Sequence, residues 1–268
     1  MVITVIGAGV IGSALAKALV KKAVADKVVA TDSHPKQLVE LRKAGVETST
    51  DNRKAASLAD TIILCVKPKD VKAVLAEVRD EIRGKLVFSL AAAVSLPLLE
   101  KAAPEARFVR VMPNLAIIVG EAFVGYYVGA SVSSKDKGVI KKILGVMGTY
   151  VEVEESQMDA VTALSGCAPA TLATFTEAMV KGGVEAGLPP DLALTSAAQS
   201  LVGTGKLLLE TKKSPFEIIK MVTTPGGVTE EELKELAKYP LTEAFISALR
   251  IGAEKSRKIS RSLVAEGK

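Results

Sequence analysis

A six-residue segment near the start of the chain contains three glycines at the spacing of a phosphate-binding turn. The segment reads Gly7-Ala8-Gly9-Val10-Ile11-Gly12. It follows the apolar run 2–6 and precedes a run with helical periodicity. The first glycine permits a tight turn, the second lets a pyrophosphate approach the backbone, and the third lets the helix pack close to the strand. Because N–H groups at a helix start also attract phosphate, the segment predicts a dinucleotide site.

An acidic residue at the expected distance supports this prediction. Asp32 directly follows the apolar run 27–31 and lies 20 residues after Gly12. A carboxylate here hydrogen-bonds the adenosine ribose and repels a 2′-phosphate, which favours NADH over NADPH. His34 and Lys36 follow at once and could weaken that repulsion. We therefore expect NADH or NADPH, with NADH slightly favoured, and we expect His34 itself to be exposed.

The composition excludes several other classes of function. The chain has 268 residues, of which 49% are hydrophobic and 24% charged, as in a soluble protein of one large or two ordinary domains. A net charge of +5 without a dense basic run does not indicate nucleic-acid binding. With one histidine and two separated cysteines, we expect no metal site and reduced, buried thiols at Cys65 and Cys167. FAD, the competing dinucleotide, is disfavoured because only 4% of the residues are aromatic.

The elements that must position these residues fall into two regions. In residues 1–154, apolar runs at 2–6, 27–31, 61–66, 86–90, 108–112, 123–128 and 150–153 alternate with helical stretches at 13–22, 35–43, 71–82 and 135–147. This alternation predicts an α/β fold, a Rossmann-type doubly wound parallel sheet with helices on both faces. After residue 154 no strand-like run occurs, and breaks at 187–190, 214–215, 224–227 and 239–240 separate five or six helices. We expect a dinucleotide-binding domain at 1–154 and an all-helical substrate and dimerisation domain at 155–268.

Four further segments match the motifs of one known family, in the family's order. They are Cys65-Val66-Lys67-Pro68, Arg110-Val111-Met112-Pro113-Asn114, the run from Asp159 to Ala170, and Val222-Thr223-Thr224-Pro225-Gly226-Gly227-Val228-Thr229. Together they resemble pyrroline-5-carboxylate reductase over nearly the whole chain. The resemblance implies hydride transfer from NAD(P)H to the C=N bond of 1-pyrroline-5-carboxylate, giving L-proline. Cys167 and Ala168 depart from the serine and glycine usual there, and Val228 from a threonine.

The resemblance implies a substrate site at two of these segments. Gly226 and Gly227 lead into the predicted start of a helix, whose N–H groups can bind the substrate carboxylate. The residues expected to contact the substrate are Ser165, Gly166, Cys167, Thr224, Gly226, Gly227, Val228 and Thr229. The hydroxyl of Thr229 is the candidate catalytic partner of the ring nitrogen, and the alternative is that Thr229 only caps the helix. Residues 165–169 are expected to form a junction of two helices near the nicotinamide, and the alternative is a simple kink between packed helices.

The resemblance also assigns cofactor contacts beyond the glycine segment and Asp32. These are Asn52, Val66, Lys67, Pro68, Ala91, Ala92 and Asn114. We expect Lys67 to position the cofactor and not to catalyse. The alternative for Asn52 is a surface turn, and for Ala91 and Ala92 it is core packing.

Two other functions and a second substrate remain open at this stage. A β-hydroxyacid dehydrogenase shares the two-domain plan but carries a catalytic lysine with an asparagine four residues on. Here Lys181 is followed by Glu185 at that distance, and Lys206 by Glu210. A non-catalytic NAD(H)-binding sensor is suggested only by Cys167. A six-membered cyclic imine is an alternative substrate.

The same patterns predict the partners and the location of the protein. Ala- and Leu-rich helical faces would leave apolar area uncovered in a single chain, so we expect a homodimer or higher homo-oligomer through the helical domain. The uncharged stretch 86–99 is interrupted by Pro97 and is too short for a membrane span. A strand expected from residue 2 leaves no room for a leader. We expect a cytoplasmic enzyme with a small-molecule substrate and no nucleic-acid or membrane partner.

Overall fold

The computed structural model describes residues 1–265, with side chains to residue 263. The described chain divides into two compact units. The first contains residues 1–169 together with the described chain from residue 250 onward, and the second contains residues 170–249. The predicted functional boundary after residue 154 is a different division and stays a prediction.

The first unit is built on one eight-stranded sheet. Its strands are β1 (Val2–Ile6), β2 (Lys27–Thr31), β3 (Glu47–Ser49), β4 (Thr61–Leu64), β5 (Leu86–Ser89), β6 (Arg107–Met112), β7 (Ala122–Val128) and β8 (Gly148–Glu152). Their order is β3-β2-β1-β4-β5-β6-β7-β8, and β1 to β6 are parallel. The chain runs outward from β1 in one direction and then in the other. The crevice beside β1 and β4 is therefore the place where such sheets bind ligands.

Two strands, β7 and β8, run opposite to the predicted parallel direction. β7 pairs antiparallel with β6, whereas β8 is again parallel to β7. The connection from β6 to β7 covers residues 113–121 and holds only a short 3-10 helix, Leu115–Val119. A parallel crossover needs a dozen or more residues, so this shorter connection reverses the chain.

Helices cover both faces of the sheet, as the alternating pattern predicts. They are α1 (Val10–Lys21), α2 (Pro35–Lys43), α3 (Asn52–Leu58), α4 (Val71–Glu77), α5 (Leu96–Ala102), α6 (Lys137–Gly145) and α7 (Met158–Val161). Alternate strand residues enter two separate cores: Ile3 and Val5 lie in one, and Ile62 and Leu64 in the other. The doubly wound fold is confirmed. β3, α3 and α5 were not predicted from the sequence.

The rest of the described chain is helical, as predicted. It contains α8 (Ala168–Glu185), α9 (Pro190–Thr211), α10 (Pro215–Val222), α11 (Val228–Leu236) and α12 (Leu241–Ala265). Each predicted break separates two of these helices. At one of them Ser214 and Glu217 form a reciprocal capping box ahead of α10, with Pro215 in the first turn. Within residues 1–265, no helix is long and apolar enough to cross a bilayer.

Candidate active site

Three segments with predicted cofactor contacts lie side by side at the carboxyl edge of the sheet. The N–H of Cys65 donates to the carbonyl of Ile6 at 2.7 Å, and the N–H of Leu90 donates to that of Leu64 at 2.9 Å. The segments following β1, β4 and β5 are thereby held in one row. This row contains 7–12, 66–68 and 91–92, at the point where the strand order reverses.

The glycine-rich turn has the geometry that its spacing predicts. Gly7 has a φ of +100°, and a Cβ there would lie 2.8 Å from the backbone of Cys65. A Cβ on Gly12 would lie 1.9 Å from the carbonyl oxygen of Gly7. At Gly9, in contrast, a Cβ would meet nothing within 4 Å. Two glycines therefore allow tight internal packing, and the third leaves the backbone open on the side where a ligand would approach.

The start of α1 offers unused donors to a phosphate. Gly9 is the N-cap residue and makes no side-chain cap hydrogen bond. The N–H groups of Val10 and Ile11, in the first turn, have no partner within the helix. The first intrahelical bond of this end runs from the N–H of Ser13 to the carbonyl of Gly9, at 2.8 Å. These residues fit a pyrophosphate, because open backbone and free N–H groups coincide.

Asp32 is held in place beside this turn. One carboxylate oxygen accepts a hydrogen bond from the N–H of Ala8 at 2.9 Å. The other accepts from the N–H of His34 at 2.8 Å and lies 3.2 Å from that residue's Nδ1. The acid therefore has a fixed orientation at the end of β2, where a ribose would lie. His34 is exposed, as predicted.

Asn52 lies close to the end of the same strand. It is the first residue of α3 and half-buried, so the alternative of a surface turn is wrong. Its side-chain oxygen accepts from the hydroxyl of Thr31 at 2.6 Å, and its amide donates to Glu77 at 2.9 Å. Asn52 thus ties α3 to β2 and α4 beside the position of Asp32.

Asn114 connects a predicted cofactor segment to a predicted substrate segment. Its side-chain oxygen accepts from the N–H of Ala116, and its amide nitrogen lies 3.2 Å from the carbonyl oxygen and 3.3 Å from the hydroxyl of Ser165. Next to this link, a Cβ on Gly166 would lie 2.5 Å from the terminal methyl of Met112. The two family motifs therefore pack directly on each other within the first unit.

The segment around Cys167 is a junction of two helices, as expected. It consists of a π-helical turn, Thr162–Gly166, followed by α8. π-turns inside helices are frequent at functional sites. Cys167 is exposed, so the prediction of two buried thiols is wrong here. Apolar neighbours as small as Gly166 and Ala168 cannot cover it.

Burial raises the pKa of the Cys65 thiol to about 12, which keeps that thiol protonated.

In the second unit, the predicted anion site is the N-terminus of α11. Gly227 is the N-cap, so the alternative of Thr229 as the cap is wrong. The N–H of Gly226 donates to Glu230, and that of Gly227 to the carbonyl of Thr224. The N–H groups of Val228 and Thr229 lie in the first turn and have no partner within the helix. None of the hydrogen bonds among the described residues uses the Thr229 hydroxyl.

One partly buried ion pair beside the carboxyl edge of the sheet was not predicted from the sequence. Arg110, only 5% exposed, donates to Oε1 of Glu155 at 2.6 Å. The same oxygen accepts from the N–H of Leu96 at 3.1 Å, while the other carboxylate oxygen of Glu155 is buried and has no partner among the described residues. An arginine inside an apolar strand signals a buried acid. The sequence does not show which of the 30 acidic residues pairs with Arg110.

The fold and the residues at the carboxyl edge of the sheet together define a class of protein. A doubly wound sheet, a glycine turn open on one side and a fixed acid after β2 are the features of a nicotinamide- or flavin-dinucleotide-binding protein. Two family models match this chain. One, described as pyrroline-5-carboxylate reductase dimerisation, matches residues 155–259, and one described as NADP oxidoreductase, coenzyme F420-dependent, matches residues 2–93.

Individual relatives define the family. A pyrroline-5-carboxylate reductase of Methanosarcina acetivorans is 39% identical over 96% of this chain and 97% of its own. A solved structure of such a reductase from Coxiella burnetii has a TM-score of 0.89 and 32% identity, covering 96% of this chain and 98% of that one. A Plasmodium falciparum pyrroline carboxylate reductase with NADP bound has a TM-score of 0.88 and 27% identity, covering 96% and 97%. The chain belongs to the pyrroline-5-carboxylate reductase family.

Proposed function

We propose that this chain reduces 1-pyrroline-5-carboxylate to L-proline with a reduced nicotinamide dinucleotide. The observation that carries the proposal is the link from Asn114 to Ser165. It joins a cofactor motif of the family to a substrate motif within one unit. The relatives named as pyrroline-5-carboxylate reductases match over almost their whole length, which supports the same activity for this chain.

The first unit binds and orients the cofactor. The N–H groups of Val10 and Ile11 receive the pyrophosphate, Asp32 the adenosine ribose, and Asn52 supports that end of the site. Val66, Lys67 and Pro68 flank the cofactor, and it passes Ala91 and Ala92 to reach Asn114. When bound, the reduced nicotinamide supplies the hydride.

NADH is the proposed preferred cofactor. Both oxygens of the Asp32 carboxylate are held by N–H groups, from Ala8 and His34. The carboxylate cannot swing away from a 2′-phosphate without losing these bonds, so NADPH meets a fixed negative charge. The exposed His34 and Lys36 reduce this penalty, which keeps the proposed preference small.

Substrate binding and proton handling are proposed for two further segments. The N–H groups of Val228 and Thr229 bind the substrate carboxylate, and the Thr229 hydroxyl hydrogen-bonds the ring nitrogen. Ser165 to Cys167 line the substrate, and Thr224 to Gly227 shape the turn that presents these donors. A cyclic imine protonates far more readily than a ketone, so the reaction needs positioning more than acid catalysis. This suits a chain with one exposed histidine.

The helical region is proposed to be the substrate and dimerisation domain, spanning 155–268. The family model described as dimerisation begins at residue 155, which supports this boundary and a homo-oligomer. The cytoplasmic location also stays a proposal.

The role of Thr229 is tested by removing its hydroxyl. We expect Thr229→Ala to lower kcat with pyrroline-5-carboxylate about tenfold to a hundredfold, because one oriented hydrogen bond to the reacting atom is lost. Thr229→Ser should recover most of the rate. Thr195→Ala is the matched control, since that exposed hydroxyl only bonds the carbonyl of Asp191 in its own helix. Equal rates for Thr229→Ala and wild type would exclude the proposed role.

Substrate comparison separates this function from its rivals. A β-hydroxyacid dehydrogenase would oxidise hydroxyacids with NAD⁺ and leave pyrroline-5-carboxylate untouched. In this chain the two lysines considered for that chemistry lie on α8 and α9, and Lys181 pairs with Glu177 on the surface. A non-catalytic sensor would bind NADH and turn over neither substrate. Relative kcat/KM for five- and six-membered cyclic imines decides the ring size.

A further inference from the structure

The part of α12 that belongs to the first unit contacts the rest of that unit through residues spaced four apart. A Cβ added to Gly252 would lie 3.2 Å from the Cβ of Ala163, so the glycine permits a close approach there. Four residues later the hydroxyl of Ser256 donates to Asp159 at 2.5 Å, and after another four Ser260 follows. Residues four apart share one side of a helix. We call Gly252, Ser256 and Ser260 the serine face of α12.

Ser260 holds a backbone group in an unusual conformation. Its hydroxyl donates to the carbonyl of Ala93 at 2.8 Å, although the two residues are 167 positions apart. Ala93 is 2% exposed and has a φ of +61°, in the left-handed region that residues other than glycine rarely adopt. Such conformations persist where the surrounding structure over-determines them, and they cluster at functional sites.

Ala93 belongs to the loop that follows β5, and both ends of this loop are also fixed. The N–H of Leu90 donates to the carbonyl of Leu64, and the N–H of Leu96 donates to the half-buried carboxylate of Glu155. The middle of the loop makes its long-range hydrogen bond to Ser260. The conformation of residues 91–93 therefore depends on a contact supplied by the far end of the chain.

We propose that Ser260 is a positioning residue for hydride transfer. By holding the Ala93 carbonyl, it sets the conformation in which Ala91 and Ala92 contact the nicotinamide. The inference rests on the proposed function, which places the nicotinamide at these alanines. Ser260 directly follows residues 155–259, which the dimerisation model matches.

The test compares two serines of the same helix. Ser262→Ala is the matched control, because among the described residues the exposed Ser262 hydroxyl bonds only the carbonyl of Ile259 in its own helix. We expect Ser260→Ala to raise the Kd for NADH and lower kcat/KM for NADH about tenfold, which corresponds to about 1.4 kcal/mol. Ser262→Ala should change neither. Binding is followed by NADH fluorescence, to which the chain adds no tryptophan signal.

A second variant separates positioning from loss of stability. Glycine adopts positive φ without steric cost, so Ala93→Gly should restore most of the NADH affinity and of the kcat/KM for NADH that Ser260→Ala loses. A general loss of folding would not be restored in this way. The inference is overturned if Ser260→Ala equals Ser262→Ala in both measurements, or if Ala93→Gly restores nothing. A wild type that binds NADH but does not reduce pyrroline-5-carboxylate would instead reject the proposed function.

Discussion

At the residue scale, the proposed preference for NADH over NADPH rests on Asp32. Its carboxylate is fixed by hydrogen bonds from Ala8 and His34 and carries the charge that a 2′-phosphate would meet. We expect Asp32→Asn to lower kcat/KM for NADH about tenfold, because a hydrogen bond between a charged group and the ribose is weakened. The value for NADPH should fall much less or rise. Steady-state kinetics with both cofactors measure this ratio.

The control for this change is Glu47→Gln, which alters an exposed acid paired with Lys27 on the neighbouring strand. It should leave both cofactors unaffected. If Asp32→Asn lowers kcat/KM for NADH and NADPH by the same factor, Asp32 supports the turn and does not discriminate.

Single residues were predictable from the sequence where their backbone requirement is local. Gly7 and Gly12 follow from turn geometry alone, and Asp32 follows from its distance to them. The exposure of Cys167 did not follow, because it depends on how little its small neighbours cover. The bond from Ser260 to Ala93 was also out of reach, because no local pattern relates residues 167 positions apart.

At the element scale, Asp136 joins the start of α6 to the start of β6. Its carboxylate accepts from the N–H and hydroxyl of Ser133, each at 2.8 Å, and from the guanidinium of Arg107. Burial of the carboxyl opposes ionisation, but these bonds outweigh it and lower the pKa of Asp136. The charged form is thus the stabilising one.

This arrangement predicts a stability difference that depends on pH. We expect Asp136→Asn to lower the free energy of unfolding at pH 7 by about 1–3 kcal/mol, because buried donors lose their charged acceptor. A depressed pKa in the folded state contributes stability above the unfolded pKa of about 3.9 and loses it as pH falls further. The difference from wild type should therefore shrink below about pH 4. Urea unfolding at several pH values measures it.

Asp80→Asn is the matched control, because Asp80 and Arg83 form an exposed pair. It should change the free energy of unfolding by less than about 0.5 kcal/mol. A difference between Asp136→Asn and wild type that stays constant from pH 7 to pH 3 would contradict the charge-based explanation.

Elements were predictable where hydrophobic periodicity is strong. The long helices after residue 157 and the buried strands β1, β4 and β5 have clear patterns. β3 has only three residues and begins with an exposed glutamate, so its alternation is too short to detect. The reversal of β7 depends on the length of the connection 113–121, and the hydrophobic pattern of a strand does not show its direction.

At the scale of the whole molecule, exposed apolar side chains indicate a partner copy. On α12 alone, Phe245, Ile246 and Ile251 are each more than 40% exposed. We expect the protein to sediment at twice the chain mass of 28.0 kDa or a multiple of it. Ile246→Glu should shift the protein toward the monomer, because a charge cannot be buried in an apolar contact without cost.

The control is Leu58→Glu on α3, a side chain with similar exposure in the first unit. It should leave the sedimentation coefficient unchanged. A wild type that sediments at the monomer mass would contradict the homo-oligomer.

The most direct test of the account follows the hydride itself. The protein is mixed with pyrroline-5-carboxylate and NADH that carries deuterium at C4. Two NADH samples are used, each labelled on one face of the nicotinamide, and the mass of the proline formed is measured by mass spectrometry. We predict proline one mass unit heavier with one of the two labelled cofactors, in an amount equal to the NADH consumed. Oxidation of NADH that yields labelled proline from neither labelled cofactor, or no proline at all, would contradict the reductase function.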